Sequence, residues 1–137
     1  MFKEEIHLVN KFCKNISKKR QPLKLKKTNT EFGHPSGRVD IIGLSPNNEI
    51  IAIEAKLKNW KIALHQAYKN TSFAHYSYVL LPPESLKSAI KNQQEFNIRN
   101  VGLFTLNNDN IEIIFQANKN SPFLVKITKK AVDLLDK

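Results

Sequence analysis

Three charged residues interrupt two short apolar segments of the sequence. Asp40 lies within the run GRVDII, and Glu54 and Lys56 lie within the run IAIEAK. Side chains alternate between the two faces of an extended strand, so Glu54 and Lys56 are expected on the same face. Two carboxylates and an ammonium group brought together can bind a hard divalent cation and help a water molecule to attack a phosphate ester.

The segment between the two runs predicts a hairpin that places Asp40 opposite Glu54. Pro46-Asn47-Asn48 suits a three-residue loop, because Pro fits the first turn position and Asn tolerates the left-handed conformation needed at the third. Counting inward from Ser45 opposite Glu49 then pairs Asp40 with Glu54, with Cβ atoms about 5 Å apart. Carboxylates this close repel each other unless a cation lies between them. The sequence therefore predicts an all-oxygen site for Mg²⁺ or Mn²⁺.

An exposed strand face with a Glu/Lys pair is the alternative interpretation, but it does not explain an Asp in the opposite apolar strand. The spacing GRVD, thirteen residues, EAK resembles the signature of the PD-(D/E)XK nuclease superfamily, which has the restriction-endonuclease-like fold. The resemblance implies that Asp40 and Glu54 ligate one or two Mg²⁺ ions. It also implies that the carbonyl of Ala55 adds a ligand and that Lys56 activates the attacking water. It covers roughly residues 2–106.

Two helical positions extend the resemblance. Glu5 lies on the apolar stripe of the first predicted helix, whereas Glu4 does not, and many superfamily members carry a Glu there that completes the metal site. Gln66 matches a Gln that the superfamily places on the helix after the Lys strand, which implies a catalytic role for Gln66. The alternatives stay open: Glu5 as a residue of a frayed helix start, Gln66 as a solvated helix residue, and Glu31 as the additional acid.

The charge distribution indicates a polyanionic partner. The chain has 22 Lys and Arg against 12 Asp and Glu, a formal net charge of +10. Residues 1–30 hold nine of these basic residues and two Glu. We therefore expect DNA to contact this stretch through Lys24, Lys26 and Lys27, and to contact Arg38 beside the carboxylates. A Lys-rich protein without such a partner is the alternative.

Length and composition predict one domain over residues 1–137. The longest apolar runs fall far short of the ~20 residues that span a bilayer, so no membrane partner is expected. The first residues, MFKEEIHLVNKF, carry acids and lack the apolar core of a signal peptide. The single cysteine, Cys13, cannot form an internal disulfide. These features favour a cytoplasmic protein.

The spacing of apolar residues predicts the element order α-β-β-β-α-β-α-β-β-α. In a small basic chain this order favours an α/β fold with a central mixed sheet and helices on both faces. With the resemblance, it implies a restriction-endonuclease-like α-β-β-β-α-β core followed by a C-terminal hairpin and helix. The predicted helices cover 2–17, 59–72, 84–97 and 126–136; the predicted strands lie near residue 30 and over 38–45, 49–57, 76–81, 101–106 and 111–117.

These observations predict a metal-dependent DNA endonuclease that hydrolyses phosphodiester bonds through a metal-activated water. One alternative is a structure-specific nuclease similar to the archaeal Holliday junction resolvases, which are of similar size, basic and homodimeric. A second is a nucleic-acid-binding module that has the fold but no catalysis, and a third is cleavage of RNA. The intact set of Asp40, Glu54 and Lys56 argues against the binding module.

Overall fold

Six strands form one mixed sheet in the computed structural model, which describes residues 2–18, 21–35 and 37–136. They are hydrogen-bonded in the order in which they occur in the chain. The strands are β1 (Lys27–His34), β2 (Gly37–Leu44), β3 (Ile50–Ala55), β4 (Tyr76–Leu81), β5 (Val101–Asn107) and β6 (Asn110–Phe115). The helices are α1 (Glu5–Ile16), α2 (Trp60–Asn70), α3 (Leu86–Lys91), α4 (Gln93–Asn97) and α5 (Val125–Leu135).

The strand directions follow from the connections. β1, β2 and β3 form an antiparallel meander, and β5 and β6 form an antiparallel hairpin. β3, β4 and β5 are parallel to one another, which requires crossover connections; α2 provides the first, and α3 with α4 provides the second. The predicted α/β class and element order are confirmed at this level.

The predicted hairpin between β2 and β3 is present. The Ser45 N–H donates to the Glu49 carbonyl at 2.9 Å, and the Asn48 N–H donates to the Ser45 carbonyl at 2.9 Å. Asn48 has a φ of 61°, the left-handed conformation that the third loop position needs. Local turn chemistry therefore sets the register between the two strands that carry the predicted site.

Helices cover both faces of the sheet. α1 buries Leu8, Val9 and Phe12 against residues such as Ile41 and Ile53 on one face. On the opposite face, α2 packs on Val79 and Leu81 of β4, and α5 packs on Ile42 and Leu44 of β2. Within the described ranges, no helix is both long enough and apolar enough to cross a membrane.

Two sequence-based expectations need correction. The first helix begins at Glu5 rather than at residue 2. The helix predicted over 84–97 is interrupted. It consists of a 3₁₀ turn, α3 and α4, because Asn92 leaves the helical conformation with φ −111° and ψ 32°. Asn side chains compete for local backbone hydrogen bonds, which favours such breaks.

Candidate active site

Asp40 and Glu54 lie opposite each other at the end of the β2–β3 ladder. The ladder pairs Ile41 with Ile53, and continuing it by one position pairs Asp40 with Glu54. Asp40 Oδ2 accepts a 2.8 Å hydrogen bond from the Ala55 N–H. This bond ties the half-buried Asp40 side chain to the end of β3, so the predicted juxtaposition of the two acids is present.

Glu54 has an unusual environment for a carboxyl group, being only 2% exposed. Asn70 Nδ2 donates a 2.8 Å hydrogen bond to its Oε2. Burial raises the pKa of Glu54 to about 8; the Asn70 hydrogen bond opposes this rise, and the charge of Asp40 adds to it. At neutral pH the pair of carboxyl groups therefore retains a proton. This proton reduces the repulsion between the two carboxyl groups, as a bound cation would.

Lys56 links this pair to α1. It follows the last residue of β3, and its backbone N–H donates to the Leu80 carbonyl at 3.1 Å, which holds the chain against β4. Its Nζ lies 3.6 Å from Glu5 Oε1, with 27% of the lysine side chain exposed. Glu5 is half-buried in the first turn of α1, whereas Glu4 is exposed. The orientation predicted for the two glutamates is thus present.

A shallow cavity of about 290 Å³ joins α1 to the meander beside these residues. Glu5 lines it together with Thr30, Glu31 and Asp40. Glu31 adopts a φ of 54°, a conformation that costs a non-glycine residue about 1–2 kcal/mol. Its Oε2 lies 3.8 Å from Arg38 Nη1. Glu5 and Glu31 therefore both border the cavity that Asp40 enters, and either can supply an additional acid.

The oxygen donors of this site fit a hard divalent cation that keeps several of its water ligands. Asp40, Glu54 and the carbonyl of Ala55 would offer oxygen donors only, which Mg²⁺ and Mn²⁺ prefer. Among the described residues, no group of three or more His, Cys, Asp or Glu side chains is placed to hold a metal ion. Mg²⁺ usually keeps several waters and uses one or two carboxylates, so two acids are a sufficient set.

On α2, the residue that contacts the acids is not the one that sequence reasoning selected. Asn70 makes the hydrogen bond to Glu54, whereas Gln66 lies one helical turn earlier and is half-buried. Residues four apart on a helix share a face. The shared helix face was therefore a signal that could have identified Asn70.

The lysines predicted to bind DNA lie at the other end of β1. Lys27 pairs with Leu44, and Lys26 Nζ donates to Asn48 Oδ1 at the hairpin loop at 2.6 Å. Lys27 and Glu31 are four positions apart along β1, about 13 Å at ~3.3 Å per residue. Lys24 is exposed, and Lys19 and Arg20 of the same basic stretch lie outside the described residues. Arg38, in contrast, borders the site.

No family model matches the chain, and no curated protein matches it. A solved structure, the SPO1766 protein of unknown function from Silicibacter pomeroyi, is similar with a TM-score of 0.57 and 19% identity. The similarity covers 80% of this chain and 68% of that chain. At this level of identity it shows a related fold and nothing about activity.

Proposed function

We propose that this protein is a metal-dependent DNA endonuclease with a restriction-endonuclease-like fold. The observation that carries the proposal is the pairing of Asp40 with the buried Glu54. Bringing a second carboxyl group out of water beside the first costs free energy unless a cation or proton compensates. A protein without a use for the pair would be more stable with apolar residues at these strand positions.

Asp40, Glu54 and the carbonyl of Ala55 would hold the Mg²⁺ or Mn²⁺ ion. When bound, this ion would polarise a phosphate oxygen and lower the pKa of the attacking water. Asn70 orients the Glu54 carboxyl group through its neutral amide. Because an amide carries no charge, Glu54 retains its negative charge for the cation once it is deprotonated.

Lys56 is the residue suited to assist the attacking water and to stabilise negative charge on the phosphate. Glu5 holds its ammonium group at 3.6 Å, which limits the conformations of a long side chain beside the cavity. An ammonium group in this place can donate hydrogen bonds to a water or to a phosphate oxygen and stabilise the charge that develops during attack. The basic chain, with a net charge of +10, favours a polyanionic substrate.

The test is cleavage of a DNA panel by the purified protein: linear duplex, closed circular duplex, circular single strand and a four-way junction. Each substrate is incubated with Mg²⁺, Mn²⁺, Ca²⁺ or excess EDTA. We expect cutting of a circular substrate in Mg²⁺ or Mn²⁺, little cutting in Ca²⁺ and none in EDTA. Cutting of closed circles identifies an endonuclease, because an exonuclease needs an end.

The Asp40→Ala protein, purified by the same procedure, is the control for contaminating nucleases. Equal cutting by both preparations, or full activity in EDTA, would refute the proposal. Tight DNA binding without cutting under any of these conditions would instead favour the non-catalytic binding module. Cutting restricted to the junction would identify a structure-specific enzyme.

A further inference from the structure

A second concave surface lies between β1 and α5, with a volume of about 790 Å³. Residues 29–33 of β1 form one wall. The other wall is α5, which contributes Lys126, Lys129 and Lys130 together with Asp133. This surface, called here the β1–α5 groove, is separate from the smaller cavity beside Asp40.

The amphipathic pattern of α5 directs these lysines into the groove. Ala131 and Leu135 are buried in the core cluster with β2 and β3. Lys126, Lys129 and Lys130 occupy positions i, i+3 and i+4, which share one side of a helix. The helix therefore packs on the core through one side and exposes three ammonium groups on another.

The charge of the β1–α5 groove is positive after its acids are counted. Lys126, Lys129 and Lys130 line it together with Asp133 and Glu31, so three lysines accompany two carboxylates. Arg38 lies 3.8 Å from Glu31 and offsets that acid further. A concave basic surface beside exposed polar strand residues fits a polyanion, since lysine side chains and backbone N–H groups are common phosphate contacts.

The groove and the candidate active site meet at β1. Thr30 and Glu31 line both the β1–α5 groove and the cavity that contains Glu5 and Asp40. β1 is also an edge strand of the six-stranded sheet that the described residues form. The groove lies on the α5 face of the sheet and the cavity on the α1 face, so a strand of nucleic acid in the groove would reach the carboxylates by crossing the sheet edge at β1.

We infer that the β1–α5 groove binds the phosphodiester backbone of DNA and guides it to the Asp40–Glu54 pair. The inference rests on the proposed function for its choice of ligand. The main phosphate contacts are then Lys126, Lys129 and Lys130, whose groove shares Thr30 and Glu31 with the cavity beside Asp40, rather than the N-terminal lysines at the far end of β1.

The test is equilibrium binding of a fluorescently labelled duplex in EDTA, where no cleavage is expected, over a series of salt concentrations. The variant is the triple substitution Lys126→Gln, Lys129→Gln and Lys130→Gln. The matched control removes the same charge from α2 and α3 through Lys61→Gln, Lys87→Gln and Lys91→Gln, at three exposed positions. A second comparison neutralises Lys24, Lys26 and Lys27 together.

The expected result is a shallower dependence of log Kd on log salt concentration for the α5 variant. Each lost phosphate contact on duplex DNA lowers the slope by about 0.9, so three contacts lower it by up to about 2.7. The α2–α3 control should keep the wild-type slope, and the N-terminal variant should lose less than the α5 variant. Equal slopes for the α5 variant and its control would overturn the inference, as would absence of DNA binding by the wild type.

Failure of the groove and failure of the proposed function are distinguishable. DNA binding that depends on the α5 lysines in a protein that never cuts would leave the groove in place and refute the nuclease. Cutting by a protein whose DNA binding does not depend on these lysines would support the nuclease and overturn the inference about the groove.

Lys130 Nζ also lies 5.9 Å from the Phe32 ring, so the triple substitution removes a packing contact. Circular dichroism checks that the variant folds. The double variant Lys126→Gln/Lys129→Gln keeps that contact if the triple variant unfolds.

Discussion

Asn70 of α2 donates a hydrogen bond of 2.8 Å to Glu54 of β3, and both side chains are 2% exposed. This contact joins a helix to the strand that carries the candidate metal ligand. It satisfies one oxygen of a buried carboxyl group without neutralising it. The resemblance to the nuclease superfamily had selected a different α2 residue, Gln66.

Asn70→Ala should destabilise the protein more than Gln66→Ala. Removing the amide leaves the buried Glu54 carboxyl group without this partner, which typically costs about 1–3 kcal/mol. Gln66 is only half-buried, so its truncation should change stability by no more than about 0.5 kcal/mol. Urea denaturation of both variants measures the difference. A loss of less than about 0.5 kcal/mol in Asn70→Ala would show that the Asn70 contact is unimportant for the fold.

Asp40→Ala, Glu54→Gln and Lys56→Ala should each lower the cleavage rate by at least about 100-fold, the scale observed when a group that stabilises transition-state charge is removed. Glu54→Gln retains an oxygen that can accept the Asn70 hydrogen bond, so a loss of activity there reflects the charge. Lys58→Ala, two residues further along and exposed, is the control for Lys56→Ala. Rates are measured on the DNA substrate that the wild type cuts fastest, and near-wild-type cutting by any of the three would remove that residue from the mechanism.

Glu5→Gln should slow cleavage or raise the metal requirement by about 10–100-fold, the range typical of residues that orient metal-site groups. Glu5 lies 3.6 Å from Lys56 and borders the cavity with Asp40. The same substitution at the exposed Glu4 should have no effect. Titration of Mg²⁺ against the cleavage rate measures both variants.

The result that contradicts this assignment is an inactive Glu31→Gln protein together with a fully active Glu5→Gln protein. Glu31 borders the same cavity from β1, so this outcome would place the additional acid on the strand.

The stability of the metal-free protein should depend on pH through Glu54. Burial raises the pKa of Glu54 in the folded protein from its ordinary value of 4.5 to about 8. A carboxyl group whose pKa is higher in the folded state contributes stability that is fully present below about pH 4.5 and is lost as the pH rises through about 8. Because glutamine does not titrate, the difference in unfolding free energy between wild type and Glu54→Gln isolates this contribution.

Urea denaturation in EDTA at several pH values from 5 to 9 measures that difference. The wild type should lose stability relative to Glu54→Gln as the pH rises. His34 and His75 have lowered pKa values because of burial. They destabilise both proteins equally at low pH and cancel in the comparison. A difference that stays constant with pH would mean that Glu54 titrates normally.

The arrangement of Asp40 and Glu54 could be predicted from sequence because it depends on neighbours in the chain. In the Pro46-Asn47-Asn48 loop, Asn48 can adopt the required φ of 61°, and this turn fixes the register of the two strands. Counting along the strands from the turn then pairs the two acids. The stripe that separates Glu5 from Glu4 is likewise local, since helical periodicity spans only a few residues. Turn chemistry and periodicity are properties of short segments.

Contacts between segments distant in sequence were decided by tertiary packing. Three features depend on how the helices pack on the sheet: the contact of the Asn70 amide, the break of the third predicted helix at Asn92, and the β1–α5 groove. A lysine-rich helix face has the same sequence whether it meets bulk water or closes a groove over an edge strand. A periodic pattern specifies which side of a helix is buried, but the neighbour that its polar side faces is determined only when the whole core has packed.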